Sequence, residues 1–323
     1  MLSFQGIAVI LLLLPAWTTG GSFEPPGSTV SVIQDSSITQ LLDDARVSLA
    51  RGDLAAACAA LEKVLTLDKK HKQARIALIN LLLRQGRLSE AGDHAQTLGQ
   101  QFPDDGEVCK LLAMTEYLLR HYDKFEKNIR EAIRLNPKDA DAHYHLGRYF
   151  FEEKRYKEAR GAFEDSYKIQ PEHYKSHYYA GLVYEGENEG EKAKQEYQTA
   201  IRIIDQLKIH YAWPFTDLGK WLINEGDYER GVGWLYRATR NDPQSPHAWF
   251  NYAKALFQKE PNFEVKEALL VAIRLDPGYS EAYYLLARYY QKIGEEQLAK
   301  ETFAKFDELK KNPVPSPFGL RRW

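Results

Sequence analysis

From about Ser37 to Lys311 the chain is a succession of amphipathic segments, two in every 34 residues, joined by short turns. No run alternates β-branched residues, so the pattern predicts paired helices. Prolines mark the period: Pro103, Pro137 and Pro171 lie 34 apart, and so do Pro243 and Pro277. Proline stops a helix because it has no N–H and disfavours helical geometry in the residue before it. Repetition at this length is the signature of a stacked solenoid, in which no unit buries its apolar face alone. The units run 38–71, 72–105, 106–139, 140–173, 174–211, 212–245, 246–279 and 280–313. The fifth is four residues longer than the rest. Its stretch Ile201–His210 lacks proline, and four residues is close to one helical turn, so its second helix is expected to run one turn further. That lengthening is either a tolerated variant or a local change of pitch that shapes a ligand site beside Trp213.

The same residue types recur inside the units. The fourth carries Leu146, Gly147, Phe150, Tyr156, Ala159, Phe163 and Pro171. The sixth carries Leu218, Gly219, Gly226, Tyr228, Ala238 and Pro243, and the eighth Leu286, Ala287, Tyr290, Gly294, Ala299 and Phe303. These repeats resemble the tetratricopeptide family over about 275 residues. The resemblance implies an all-α, right-handed superhelical solenoid of about eight helix–turn–helix repeats spanning 38–313. Gly147, Gly181, Gly219, Ala253 and Ala287 share the place where the first helix of a unit approaches the second. Ala91, Ala159, Ala193 and Ala299 do the same on the second helix. Phe163, Tyr197, Leu235 and Phe303 are expected to fill the space between successive repeats.

The resemblance also implies a concave face lined by first helices, where extended peptides bind. One inward row reads Arg46, Asn80, Met114, Arg148, Leu182, Lys220, Lys254, Arg288; five of the eight are basic and none is acidic. A second reads Leu42, Ile76, Lys110, Tyr144, Tyr178, Thr216, Phe250, Tyr284, and a third includes Tyr117, Phe151, Ile223 and Phe257. Tyr117, Tyr144, Arg148, Phe151, Tyr178, Trp213, Lys220, Phe250, Lys254, Phe257, Tyr284 and Arg288 are therefore the candidate partner-binding residues. Cationic and aromatic groups side by side suit a protein or peptide ligand with carboxylates and apolar side chains. The competing reading is a solvated groove whose charges pair with Glu107, Asp141 and Glu281. The family's clamp for a C-terminal carboxylate is mostly missing, because the matching places hold Leu42, Arg46, Gln73 and Asn80.

Other chemistry is sparse. A formal charge of −2 provides no broad basic field for nucleic acid. The chain has no phosphate-binding Gly-rich loop, no Gly-x-Ser-x-Gly and no His-Glu-x-x-His, so no enzyme activity, catalytic residue or cofactor is expected. Glu185, Glu187, Glu189 and Glu191 read as a solvated turn. His143, His145, His173 and His177 lack the further ligands of a zinc site and read as packing or capping residues. Cys58 and Cys109 fall on different units and read as single buried thiols. Residues 1–21, with the apolar run Ile7–Ala16 before small residues, read as an export signal, although no Lys or Arg precedes the run. The run is shorter than the roughly 20 residues a spanning helix needs, so no stable membrane span is expected after cleavage; the alternative is a leader kept uncleaved as an anchor. Residues 22–37 read as a flexible linker, and the location as periplasmic or secreted. The Pro-rich segment 314–323 reads as a cap on the last repeat or as a ligand for another domain. Two further roles stay open: an accessory subunit of an envelope enzyme complex, and a carbohydrate or small-molecule receptor.

Overall fold

The computed structural model describes residues 29–314, with side chains from Asp35 onward. Among the described residues the regular structure is sixteen α-helices: α1 (Thr29–Ala50), α2 (Leu54–Leu67), α3 (Lys72–Arg84), α4 (Leu88–Gln101), α5 (Gly106–Leu118), α6 (Tyr122–Leu135), α7 (Ala140–Glu152), α8 (Tyr156–Ile169), α9 (Tyr174–Gly186), α10 (Gly190–Leu207), α11 (Trp213–Asn224), α12 (Tyr228–Asn241), α13 (Pro246–Lys259), α14 (Phe263–Leu275), α15 (Ser280–Lys292) and α16 (Glu296–Lys311). Taken in consecutive pairs they form eight helical hairpins, the all-α repeat architecture expected from the period. The segment read above as an export signal and the tail beyond Val314 lie outside the described residues. α1 begins at Thr29, so its first turns occupy part of the segment read above as a flexible linker. No described helix is long and apolar enough to cross a membrane.

One backbone device closes seven of the eight hairpins. The residue fifteenth in each unit takes positive φ: Gly52, Gly86, Arg120, Lys154, Asn188, Gly226 and Gly294. A left-handed residue at this place ends the first helix and lets the chain reverse. In the seventh unit the equivalent residue, Glu260, is extended (φ −150°, ψ 141°). Pro261 follows it, and the residue before a proline is pushed toward the extended region. Non-glycine residues in the left-handed region carry about 1–2 kcal/mol of steric strain. Lys154→Gly should therefore raise stability by about 0.5 kcal/mol, after the added freedom of glycine in the unfolded chain is subtracted. An unchanged or lower urea midpoint would contradict this.

The described chain divides into two compact units, one up to Ala142 and one from His143 onward, with the boundary in the first turn of α7. The interior of the first is mainly aliphatic: Leu61, Leu78, Ile79, Leu82, Leu83 and Leu98 are almost wholly buried. Cys58 and Cys109 are both buried and free, and burial pushes both thiols up. The second unit builds its interior on aromatic residues, with Phe163, Tyr178, Tyr197 and Phe215 fully enclosed. A buried tyrosine needs a partner for its hydroxyl. Tyr197 donates to Glu185 (2.6 Å), Tyr178 to Asp217 (2.7 Å) and Tyr228 to the Ala255 carbonyl (2.8 Å).

Hairpin closure follows side-chain volume. At Gly147 and Gly181 an added Cβ would meet the rings of Phe163 and Tyr197 at 2.7 and 2.5 Å. In the sixth unit both contact positions are glycine, Gly219 and Gly231. There α11 and α12 meet with backbone against backbone: a Cβ on Gly231 would stand 2.7 Å from the Gly219 carbonyl oxygen.

Candidate functional site: the α11–α13–α15 face

In the second unit the first helices of the last three repeats, α11, α13 and α15, neighbour one another in turn. Each presents one basic residue from the same register place: Lys220, Lys254 and Arg288, all exposed. Lys220 is anchored, its Nζ 2.9 Å from the buried Asp217 carboxylate, which also accepts the Tyr178 hydroxyl. Burial, and then the charge of Asp217, push Tyr178 well above the ordinary phenol value, so it stays the donor in that bond. Lys254 and Arg288 make no ion pair with any described residue; Arg288 reaches only the Tyr284 hydroxyl, at 3.2 Å.

Aromatic residues stand on the same three helices. Trp213 is half-buried and stacks on His247 with ring centroids 4.0 Å apart. Phe250 is half-buried against Tyr279 (5.0 Å). Phe257 is half-buried beneath the Lys292 ammonium, 5.2 Å from the ring centre. Tyr284 is 41% exposed and leans on Phe306 (5.3 Å). The sequence reading did not single out Lys292, whose place one turn beyond Arg288 on α15 could have signalled it. The face therefore offers cations with spare charge on the same helices as apolar rings held by packing, suited to carboxylates that come with apolar neighbours.

The remaining candidates are drawn into the interior. Tyr144 and Tyr178 are 2% and 0% exposed, and Tyr117 is buried against Phe125 (5.2 Å) and Tyr122 (5.5 Å) within its own hairpin. Arg148 is 5% exposed; it pairs with Glu152 at 3.1 Å and lies over the rings of Tyr179 (5.6 Å) and Tyr144 (5.9 Å). Phe151 is half-buried beside Tyr179 and Tyr156. The four extra residues of the fifth repeat explain part of this closure. α10 runs 18 residues and stops at Lys208 in the left-handed region, and the link that follows carries Tyr211 onto Tyr174 (5.3 Å) and Tyr178 (5.8 Å). Asn241 ties the link down: its Oδ1 accepts from the Tyr211 N–H (2.8 Å) and its Nδ2 donates to the Ile209 carbonyl (2.9 Å). The insertion thus packs Tyr211 beside Tyr178.

In the first unit the pairing alternative holds at Lys110, which is buried between Asp139 (2.6 Å) and Glu107 (3.2 Å). Two histidines cap helices: Nδ1 of His71 accepts from Ala74 and Nδ1 of His173 from Ser176. His177 meets Glu196 (2.6 Å) and stacks on Tyr167 (4.4 Å). No group of three or more His, Cys, Asp or Glu among the described residues could hold a metal ion.

Residues 48–115, 111–174 and 268–301 each match a family profile described as tetratricopeptide repeat. The chain is a tetratricopeptide-repeat protein. A TPR repeat-containing protein of Methanocaldococcus jannaschii is 29% identical over 111 residues, a stretch that makes up 34% of this chain and 19% of that protein. Among solved structures, a tetratricopeptide repeat protein from Parabacteroides merdae covers 84% of this chain and 99% of its own length at 13% identity (TM-score 0.60). PilF of Pseudomonas aeruginosa covers 70% of this chain and 99% of its own length at 18% identity (TM-score 0.56). At these identities the structural likeness is one of fold. In this tetratricopeptide-repeat chain the first-helix candidates divide in two: a closed, tyrosine-filled set around α7 and α9, and an open, cationic set on α11, α13 and α15.

Proposed function

We propose that this tetratricopeptide-repeat protein is a non-enzymatic binding scaffold whose α11–α13–α15 face takes an extended protein segment carrying carboxylates and apolar side chains. The observation that carries the reading is the pair Lys254 and Arg288, exposed, unspent on any carboxylate among the described residues, and borne on the same helices as the half-buried rings of Phe250 and Phe257 and the exposed ring of Tyr284. Rings already held by packing need little ordering on binding, which keeps the cost of association low. The leader at residues 1–21 supports action outside the cytoplasm, in the periplasm or as a secreted protein; a mature chain lacking those residues by mass spectrometry of the native protein is the expected result.

The binding reading is tested by the double substitution Lys254→Glu, Arg288→Glu. Fluorescence anisotropy with a labelled peptide rich in Glu, Leu and Pro should show at least about a tenfold loss of affinity, since two attractive contacts become repulsive. Both residues are exposed, so helical circular dichroism should not change. Undiminished peptide binding would refute the proposal.

A further inference from the structure

The spacing of the three cations constrains the backbone of the bound segment. Lys220, Lys254 and Arg288 recur every 34 residues, one per first helix, so each step along the row is one helix-to-helix step. Packed helices lie about 8–10 Å apart. A polyproline II chain advances about 3.1 Å per residue with three residues per turn, so one full turn is about 9 Å. Its residues i, i+3 and i+6 therefore line one side at the pitch of the cation row. A β-strand fits poorly: it covers the same distance in about three residues of 3.3 Å, but successive side chains alternate, so residue i+3 points away from residue i.

Resting on the binding role proposed above, we propose that this face reads a polyproline II segment with a carboxylate at every third residue, and with proline or apolar residues between. Phe250, Phe257 and Tyr284 supply the aromatic surface on which such a pre-formed helix docks at low ordering cost. The three positions are unequal. Lys220 is held by Asp217, whereas Lys254 and Arg288 are not so engaged, so the two carboxylates facing α13 and α15 carry most of the discrimination. The segment comes from another chain. The proline-rich residues 313–323 of this chain carry Arg321 and Arg322 and no Asp or Glu, the wrong sign for the row.

The test uses the full chain and three labelled synthetic peptides of identical length and composition (Glu, Pro, Leu), each with one set of three glutamates set every second, every third or every fourth position and the rest of the peptide Pro and Leu, followed by anisotropy at low salt. The every-third peptide should bind about tenfold more tightly than either isomer, because a mismatched register forfeits about two of three exposed ion pairs. Lys254→Gln should weaken it more than Lys220→Gln. Equal binding of all three peptides, lost in the Lys254→Glu, Arg288→Glu protein, overturns the register and leaves the binding face standing. No binding of any peptide overturns both. Binding of oligodeoxythymidylate as tight as the every-third peptide identifies a general polyanion surface and overturns the register as well.

Discussion

Replacing Lys110 with Met should destabilise the first unit by about 3 kcal/mol, although the side chain keeps nearly its length and apolar stem. The Lys110 ammonium lies 2.6 Å from Asp139 Oδ2, and the two side chains are 10% and 9% exposed. Asp139 Oδ1 is committed to the Ala142 N–H at the start of α7 (3.0 Å). Removing the ammonium leaves a carboxylate oxygen enclosed without its partner, and that penalty outweighs the net value of the pair itself. The double variant Lys110→Met, Asp139→Asn should recover much of the loss, because Asn keeps an oxygen for Ala142 and abolishes the stranded charge. Equilibrium urea unfolding of the four proteins measures the coupling; a loss below about 1 kcal/mol for Lys110→Met would show that the pair is solvated in practice. Burial alone would pull the Lys110 amine down, but the hydrogen bond and charge of Asp139 outweigh it and raise it above its ordinary 10.5. A group raised on folding contributes its stability in full below the unfolded value and loses it as pH climbs through the folded one. The contribution of Lys110 should thus be flat from neutral pH to about pH 10 and fall away only beyond.

Gly231→Ala should cost about 2 kcal/mol, and Gly231→Leu more, even though either residue favours a helix over glycine by up to about 1 kcal/mol. The new Cβ would lie 2.5 Å from Ile223 Cγ1, 2.7 Å from the Gly219 oxygen and 3.1 Å from the Ile223 nitrogen. Two of these three are backbone atoms of α11, which no rotamer change can move aside, so the helices must separate. The matched control lies two residues along the same helix. A Cβ on Gly233 meets nothing within 4 Å, so Gly233→Ala should stabilise the protein by about 0.5–1 kcal/mol. Thermal and urea midpoints moving in opposite directions for the two alanines are the expected outcome. Equal shifts would mean that propensity, and not the backbone contact, governs this hairpin.

These two sites also show where reading the chain in one dimension stopped. The close-approach positions were legible: a glycine returning at the same place in successive units, at Gly147, Gly181 and Gly219, is a steric requirement that any register exposes. Gly231 occupies the equivalent place on a second helix, yet its importance depends on Gly219 facing it, a pairing that becomes visible only once two helices are docked. Lys110 stood in a row read as inward-facing, which correctly placed it on the first helix. Its burial between Glu107 and Asp139 required knowing that Asp139, 29 residues later, ends the same repeat against it.

The candidate site divides along the same line. Register alone assigned Tyr144, Arg148, Tyr178, Lys220, Lys254 and Arg288 to equivalent faces, because helical periodicity repeats direction faithfully. Periodicity carries no information about what stands opposite a side chain. Glu152 took up Arg148, Tyr211 arrived with four inserted residues to cover Tyr178, and among the described residues no carboxylate pairs with Lys254 or Arg288. The sequence by itself thus determined eight helical hairpins and the direction each position faces, since both follow from local backbone geometry repeated along the chain. Only the tertiary structure decided which of those positions stay open, because exposure is set by non-local neighbours whose volumes and charges meet after packing.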